Sequence, residues 1–192
     1  MRKVLMVVLG CFLISSFAFG EWKSVTIHSG AKPGTEPDGF RGIKWGTKIS
    51  DLKGMIYVRT APILGGVKIY IYKRQGDVLQ IGKAKLESIE YQFWKGRFCG
   101  VAVYFSGYVN WSGLKDALFE KFGKGHQPDK SRESYFWFGT KTKIMVGYNK
   151  KTEAGILSME SMKILKEKME AYRKYRKKKQ KKEQKKDFKR SI

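Results

Sequence analysis

Cysteine, histidine and acidic residues are scarce in this 192-residue chain, which holds two Cys, two His and 17 Asp plus Glu against 40 Lys plus Arg. Cys11 lies in an apolar leader, so Cys99 stands alone in the processed chain and no internal disulfide is expected. His28, His126 and Cys99 are too far apart in sequence for the ligand spacings of a zinc site. No Gly-x-Ser-x-Gly elbow, Asp-rich calcium loop or phosphate-cradling Gly-x-x-x-x-Gly-Lys run occurs. The expectation is therefore a chain without catalytic residues, metal ligands or cofactor. Ser-x-x-Lys does recur, at Ser50–Lys53 and Ser112–Lys115. With 13 serines and lysine at roughly one residue in six, about two such pairs arise by chance. The Ser-Asp-Asn and Lys-Thr-Gly partners of that motif are missing.

Long apolar runs are also rare, and the one present stands at the start. Met1-Arg2-Lys3 is followed by Val4–Phe19, then by the small residue Gly20 before Glu21-Trp22. A basic start, an apolar middle and small residues at a cleavage point are the parts of a secretory signal peptide. The run measures about 24 Å as a helix, short of the roughly 20 residues that span a bilayer. Residues 1–20 are read as a signal peptide, with an uncleaved anchor or lipidation at Cys11 as the competing readings. The mature protein is then exported, to the periplasm or cell envelope.

Negative charge is scarcest at the far end. Residues 163–192 carry 15 Lys/Arg and 4 acids, whereas residues 21–162 carry 23 and 13. Lysine supplies 31 of the 40 cations. Lysine acts as a hydrated point charge, while arginine makes the planar forks that read phosphates and bases. The balance favours attraction to anionic surfaces over sequence reading of nucleic acid; Lys/Glu enrichment is also common in proteins from hot environments.

What the chain has in quantity is strand signal. Met55–Thr60, Val67–Arg74, Leu86–Trp94, Phe98–Ser106, Ser134–Phe138, Lys143–Tyr148 and Ala154–Glu160 alternate apolar and polar residues between turn signals. Lys95-Gly96-Arg97 reads as a hairpin turn, and Met55–Thr60 is followed by Pro62 and Gly65-Gly66. Thr47 and Gly54 bracket a short helix at 48–53. Ser112 caps a second, ending at Gly123, with Leu114, Leu118 and Phe122 on one stripe. Cys99 is in phase with Val101, Val103 and Phe105, which marks it as a buried small apolar residue. Ser161 caps a last helix whose stripe Met162, Leu165, Met169 and Tyr172 is available for docking. The fold class is α+β: one antiparallel sheet of about six or seven strands, short helices on one face, and a long basic C-terminal helix. The divisions are 1–20 (signal), 21–160 (α+β domain) and 161–192 (basic helix or tail).

Phe40-Arg-Gly42 with Trp45 before one helix echoes Phe105-Ser-Gly107 with Trp111 before the next. The element Phe40-x-Gly-Ile-x-Trp-Gly46, followed by Ile49-Ser-Asp-Leu52 and the hairpin Glu90–Val101, resembles small exported bacterial α+β proteins, many uncharacterised. The small lipoproteins of outer-membrane assembly share a similar general plan. The resemblance implies an exported α+β fold over residues 40–122 and carries no functional residues.

Two surfaces remain as candidates. After Tyr175 no apolar residue appears before Phe188, and Arg176, Lys177, Lys178, Lys179, Lys181, Lys182, Lys185 and Lys186 form a cationic segment. That segment suits an anionic membrane surface, an envelope polymer or an acidic protein partner, or else is a solvated extension. Tyr70, Tyr72 and Tyr104 among basic residues suit stacking of sugars or bases, with Trp94 a further candidate, unless that face is covered by a helix. Nucleic acid is the less favoured partner, given export. If the leader is processed, intact-mass analysis of the native protein will find the N-terminus near Glu21; a chain starting at Met1 in the membrane fraction would make it an anchor.

Overall fold

The computed structural model describes residues 32–63 and 67–190. The expected signal peptide with its processing point at Gly20, Cys11, His28 and Gly65-Gly66 lie outside the described residues. Seven strands form one sheet: β1 Met55–Ile63, β2 Val67–Arg74, β3 Ser88–Trp94, β4 Arg97–Ser106, β5 Glu133–Phe138, β6 Thr142–Asn149 and β7 Ala154–Ser161. Their order is β1-β2-β3-β4-β7-β6-β5, and every pairing is antiparallel. Helix α1, Tyr108–Phe122, joins β4 to β5, and helix α2, Met162–Arg190, follows β7. The expected α+β class, antiparallel sheet and long C-terminal helix are all present. A short helix followed by three meandering strands occurs twice, and the third strand of each set, β3 or β7, flanks β4.

Local chemistry explains the tight turns. Lys95 and Gly96 both take positive φ (50° and 72°), as do Arg41 and Gly42 (48° and 80°). Two left-handed residues in a row make the two-residue turn whose twist matches that of antiparallel strands. The first closes β3 onto β4; the second closes the small hairpin of Gly39–Phe40 with Ile43–Lys44.

The helix expected at 48–53 is a single 3-10 turn at Ile49–Asp51. Its backbone is committed elsewhere: Phe98 N–H donates to Thr47 O, Gly46 N–H to Phe98 O and Ile49 N–H to Gly96 O, each at 2.8 Å. Thr47 Oγ1 donates to Lys44 O at 2.8 Å and caps nothing. Conversely, α1 begins at Gly107 rather than Ser112. Gly107 turns the chain at φ 81°, and the Asn110 carboxamide donates to Ser106 O (2.8 Å) while accepting from Lys85 N–H (2.9 Å). The early start adds Trp111 to the buried stripe of Leu114, Leu118 and Phe122.

The larger core lies between α1 and one face of the sheet. It includes Tyr91, Phe93, Phe98, Val101, Val103, Phe105, Trp137, Val146 and Leu157, with Phe40 and Ile43 from the first hairpin. Trp111 is its centre, stacked on Tyr148 (5.5 Å, 6°) and Phe105 (6.3 Å, 5°). Cys99 is fully buried, but not in phase with Val101, Val103 and Phe105. The register slips between Gln92 and Phe93, so Cys99 is an extra residue between Phe98 and Gly100. This bulge turns Cys99 to the other face, where it packs with Val67, Trp94 and Ile164. Phe93 and Phe98 thus face α1 while their neighbours Trp94 and Cys99 face α2, and the two helices lie on opposite sides of the sheet. A second bulge, between Tyr57 and Arg59, interrupts the edge strand β1.

Gly155 lies opposite Phe105, and a Cβ there would overlap the Phe105 ring. Gly155→Ala should cost about 1–3 kcal/mol through forced repacking. The measurement is a lower urea midpoint with an unchanged denaturant slope.

Candidate functional site

The C-terminal helix is anchored by apolar contact and by charge. Ser161 Oγ accepts from Ile164 N–H at 3.4 Å, capping the first turn. Ile164, Lys168 and Ala171 then repeat at helical spacing toward the sheet. Ile164 and Ala171 pack with Val67, Trp94 and Cys99, and the Lys168 ammonium donates to Glu160 at 3.2 Å with both side chains largely buried. From the residue before Lys168, Glu167 receives the Arg97 guanidinium as a fork (2.5 and 3.5 Å); that guanidinium also lies 5.7 Å from the Trp94 ring, and the Lys95 ammonium lies 4.5 Å from it. The hydrogen bond from Arg97 holds the Glu167 carboxyl below its ordinary range.

The docked stripe is therefore not Met162, Leu165, Met169 and Tyr172. Leu165 and Tyr172 are half-buried at its flank and Met169 is 40% exposed. The shift has a physical cause: the Lys168 stem packs like an apolar chain while its ammonium finds Glu160, so a lysine occupies a place that a hydrophobic count leaves out.

From Arg173 to Lys186 every residue is exposed, and Arg176, Lys177, Lys178, Lys179, Lys181, Lys182, Lys185 and Lys186 all face solvent. They span about 15 Å of helix at 1.5 Å per residue and occur on all sides of it. Glu183 is the acid among them and sits 3.8 Å from Lys179, an exposed pair. Among the described residues no helix is long and apolar enough to cross a membrane.

The structure divides the three candidate tyrosines. Tyr70 and Tyr72 share a face of β2, since they oppose Phe93 and Tyr91 of β3. Tyr70 is 40% exposed; Tyr72 packs edge-on against Phe93 (5.2 Å) and Tyr57 (5.6 Å). Tyr104 and Trp94 fall on the opposite face, where Tyr104 donates to Glu90 at 3.4 Å beside the bidentate Arg59–Glu90 pair (2.6 and 2.9 Å). Tyr57 joins Tyr70 and Tyr72 instead. The β1 bulge hides it from an alternation count, although the strand run Met55–Thr60 contains it.

Other polar groups are engaged in structure. The Glu36 carboxylate accepts from Lys141 N–H (2.5 Å), Thr142 N–H (2.8 Å) and Thr140 Oγ1 (3.1 Å), tying residues 32–38 to the β5–β6 turn. That strap forms one wall of a cleft of about 370 Å³ shared with Phe122, Trp137, Phe138 and Ile144. Asp77 receives Arg41 and, at 2.6 Å, the hydroxyl of Tyr91, whose proton is held more firmly than usual by burial and by that bond. Ser50 Oγ donates to Asp51 at 2.9 Å, and the Lys115 ammonium lies 5.7 Å from the Trp111 ring, so neither Ser-x-x-Lys pair is joined as an activated nucleophile. His126 exchanges backbone hydrogen bonds with Phe136. No cluster of three or more His, Cys, Asp or Glu suited to a metal occurs among the described residues. No protein-family model matches this chain, and neither a curated protein nor a solved structure does.

Burial pushes the Cys99 thiol from an ordinary 9.0 up to about 11. Cys99 should therefore resist thiol reagents at neutral pH until the fold is melted. The unfolded chain loses this proton first as pH rises. The linked stability is whole below about pH 9 and is lost toward about pH 11. Urea midpoints of the parent should fall more steeply over that interval than those of Cys99→Ala.

Proposed function

We propose that this chain is an exported, non-enzymatic cell-envelope protein that associates through the Lys-rich end of α2 with an anionic surface or partner. The observation that carries this reading is the projecting segment Arg176–Lys186, fully exposed and continuous with a helix anchored to the sheet. A helix with cations on every side has no face to bury, so its free energy of association comes from the anions it meets. Near an anionic leaflet each basic residue contributes about 1 kcal/mol, and eight of them act together here. The leader at 1–20 and the preference for lysine over arginine support the envelope setting.

A second reading is a nucleic-acid-binding protein. It is favoured by Tyr57, Tyr70 and Tyr72 on one face of the β1–β2 edge, with Lys68 and Arg74 in the same row of β2 and in no salt bridge among the described residues. Exposed aromatics beside cations are a stacking platform for single strands.

Deleting residues 176–192 should leave the thermal midpoint unchanged and lower affinity for anionic vesicles by roughly a hundredfold or more. Binding by the intact protein should weaken as salt rises, because the screening length falls from about 10 Å at 0.1 M to 3 Å at 1 M. Duplex and single-stranded nucleic acid run alongside decide the ranking: a strong preference for either over vesicles reverses it. Binding to none of them at about 0.1 M salt makes the tail a solvated extension.

A further inference from the structure

Beside the docked stripe of α2, and running on to its cationic end, lies a row of apolar side chains that belongs to neither. Met169 is 40% and Tyr175 45% exposed, and Leu165 and Tyr172 are half-buried between them. At 100° per residue these four side chains fall within an arc of roughly 120°. Tyr175 continues the docked stripe of Ile164, Lys168 and Ala171 one turn further, past Ala171, the last of its residues to pack on the sheet cluster. The Arg176 guanidinium lies 5.9 Å from the Tyr172 ring, its stem alongside the same arc. Single exposed apolar residues are ordinary on a protein surface. Here four share one arc, and the eight cations of residues 176–186 begin at the next residue.

We propose that this arc is a membrane-interface contact: Met169, Tyr172 and Tyr175 enter the headgroup region of an anionic phospholipid bilayer while the adjoining cations hold its surface charge. The inference rests on the envelope reading above and specifies its partner as lipid. Charge complementarity selects the bilayer, because a soluble polyanion satisfies the lysines but offers no apolar phase to the arc. Tyrosine suits this depth, with an apolar ring and a hydroxyl that stays hydrated. A helix with an apolar arc beside Lys and Arg lies in the plane of the interface and does not span it. Binding then has two parts: an electrostatic part that salt removes, and an apolar part that salt leaves in place.

The test compares vesicles of equal parts phosphatidylglycerol and phosphatidylcholine with heparin, a soluble polyanion. The intact protein should bind both at about 0.1 M salt; at about 1 M it should keep measurable vesicle binding and lose heparin. Met169→Ser/Tyr175→Ser should lower vesicle affinity by about tenfold at both salt levels and leave heparin affinity unchanged. Both side chains are exposed, and an unchanged thermal midpoint confirms that the variant folds. Spin labels at Met169→Cys and Tyr175→Cys, in a Cys11→Ser background with Cys99 buried, should become accessible to oxygen and shielded from aqueous relaxant on vesicles. A label at Lys181→Cys, on the opposite side of the helix, should stay aqueous. Vesicle binding that survives the double substitution unchanged, or labels that stay aqueous, overturns the inference and leaves the electrostatic reading standing. Absence of vesicle binding by the intact protein overturns the inference, and absence of heparin binding as well overturns the reading on which it rests.

Discussion

Pairing between β4 and β7 is the contact on which the rest of the molecule depends. It joins the β1–β4 meander to the β5–β7 meander and runs from Ala154 opposite Ser106 to Glu160 opposite Gly100. That register puts Leu157 and Met159 beside Val103 and Val101 on the α1 side, completing the aromatic core around Trp111. On the other side it puts Glu160 where Lys168 can reach it, so the same register sets the exit direction of α2. A slip of one residue would exchange these two sets, exposing the core and leaving the Lys168 ammonium without its carboxylate.

Both faces of the sheet are thus used, but by different physics. The α1 side is held by stacked aromatic rings and close packing, and Trp111 Nε1 is buried there without a hydrogen-bond partner among the described residues. Such a group costs free energy that the surrounding ring contacts must offset. The α2 side is narrower: Val67, Trp94, Cys99, Ile164 and Ala171, with two charge pairs at its margin. Burial of the charged Lys168–Glu160 pair contributes more to orientation than to net stability, since each ion loses hydration on docking.

The parts of this arrangement that were legible in the sequence are those governed by local rules. Alternation in Val67–Arg74 and the Lys95-Gly96 turn specify their strand and hairpin without outside help, and the cationic segment from Arg176 is exposed because nothing in it can be buried. The misread parts are those where distant residues decide. The segment at 48–53 has helix signals, but its amides are taken by the β3–β4 hairpin. The start of α1 depends on Asn110 reaching both Ser106 and Lys85. Cys99 and Tyr57 each lie next to a bulge, and an added residue cannot be seen in the alternation of one strand alone. The sequence offers Tyr104 beside Tyr70 and Tyr72 as an aromatic among basic residues, yet register assigns it to the opposite face.

The edge strand β1 carries a further consequence. A protein gathered on a surface is concentrated in two dimensions, so its open sheet edges meet far more often than in bulk. An edge unpaired among the described residues, with exposed Ile56, Tyr57 and Val58, is then a template for end-to-end polymerisation. The bulge between Tyr57 and Arg59 breaks the regular row of donors and acceptors, and Pro62 removes one donor altogether. Irregularities that look like flaws in the strand thus oppose edge-to-edge pairing between copies of the molecule.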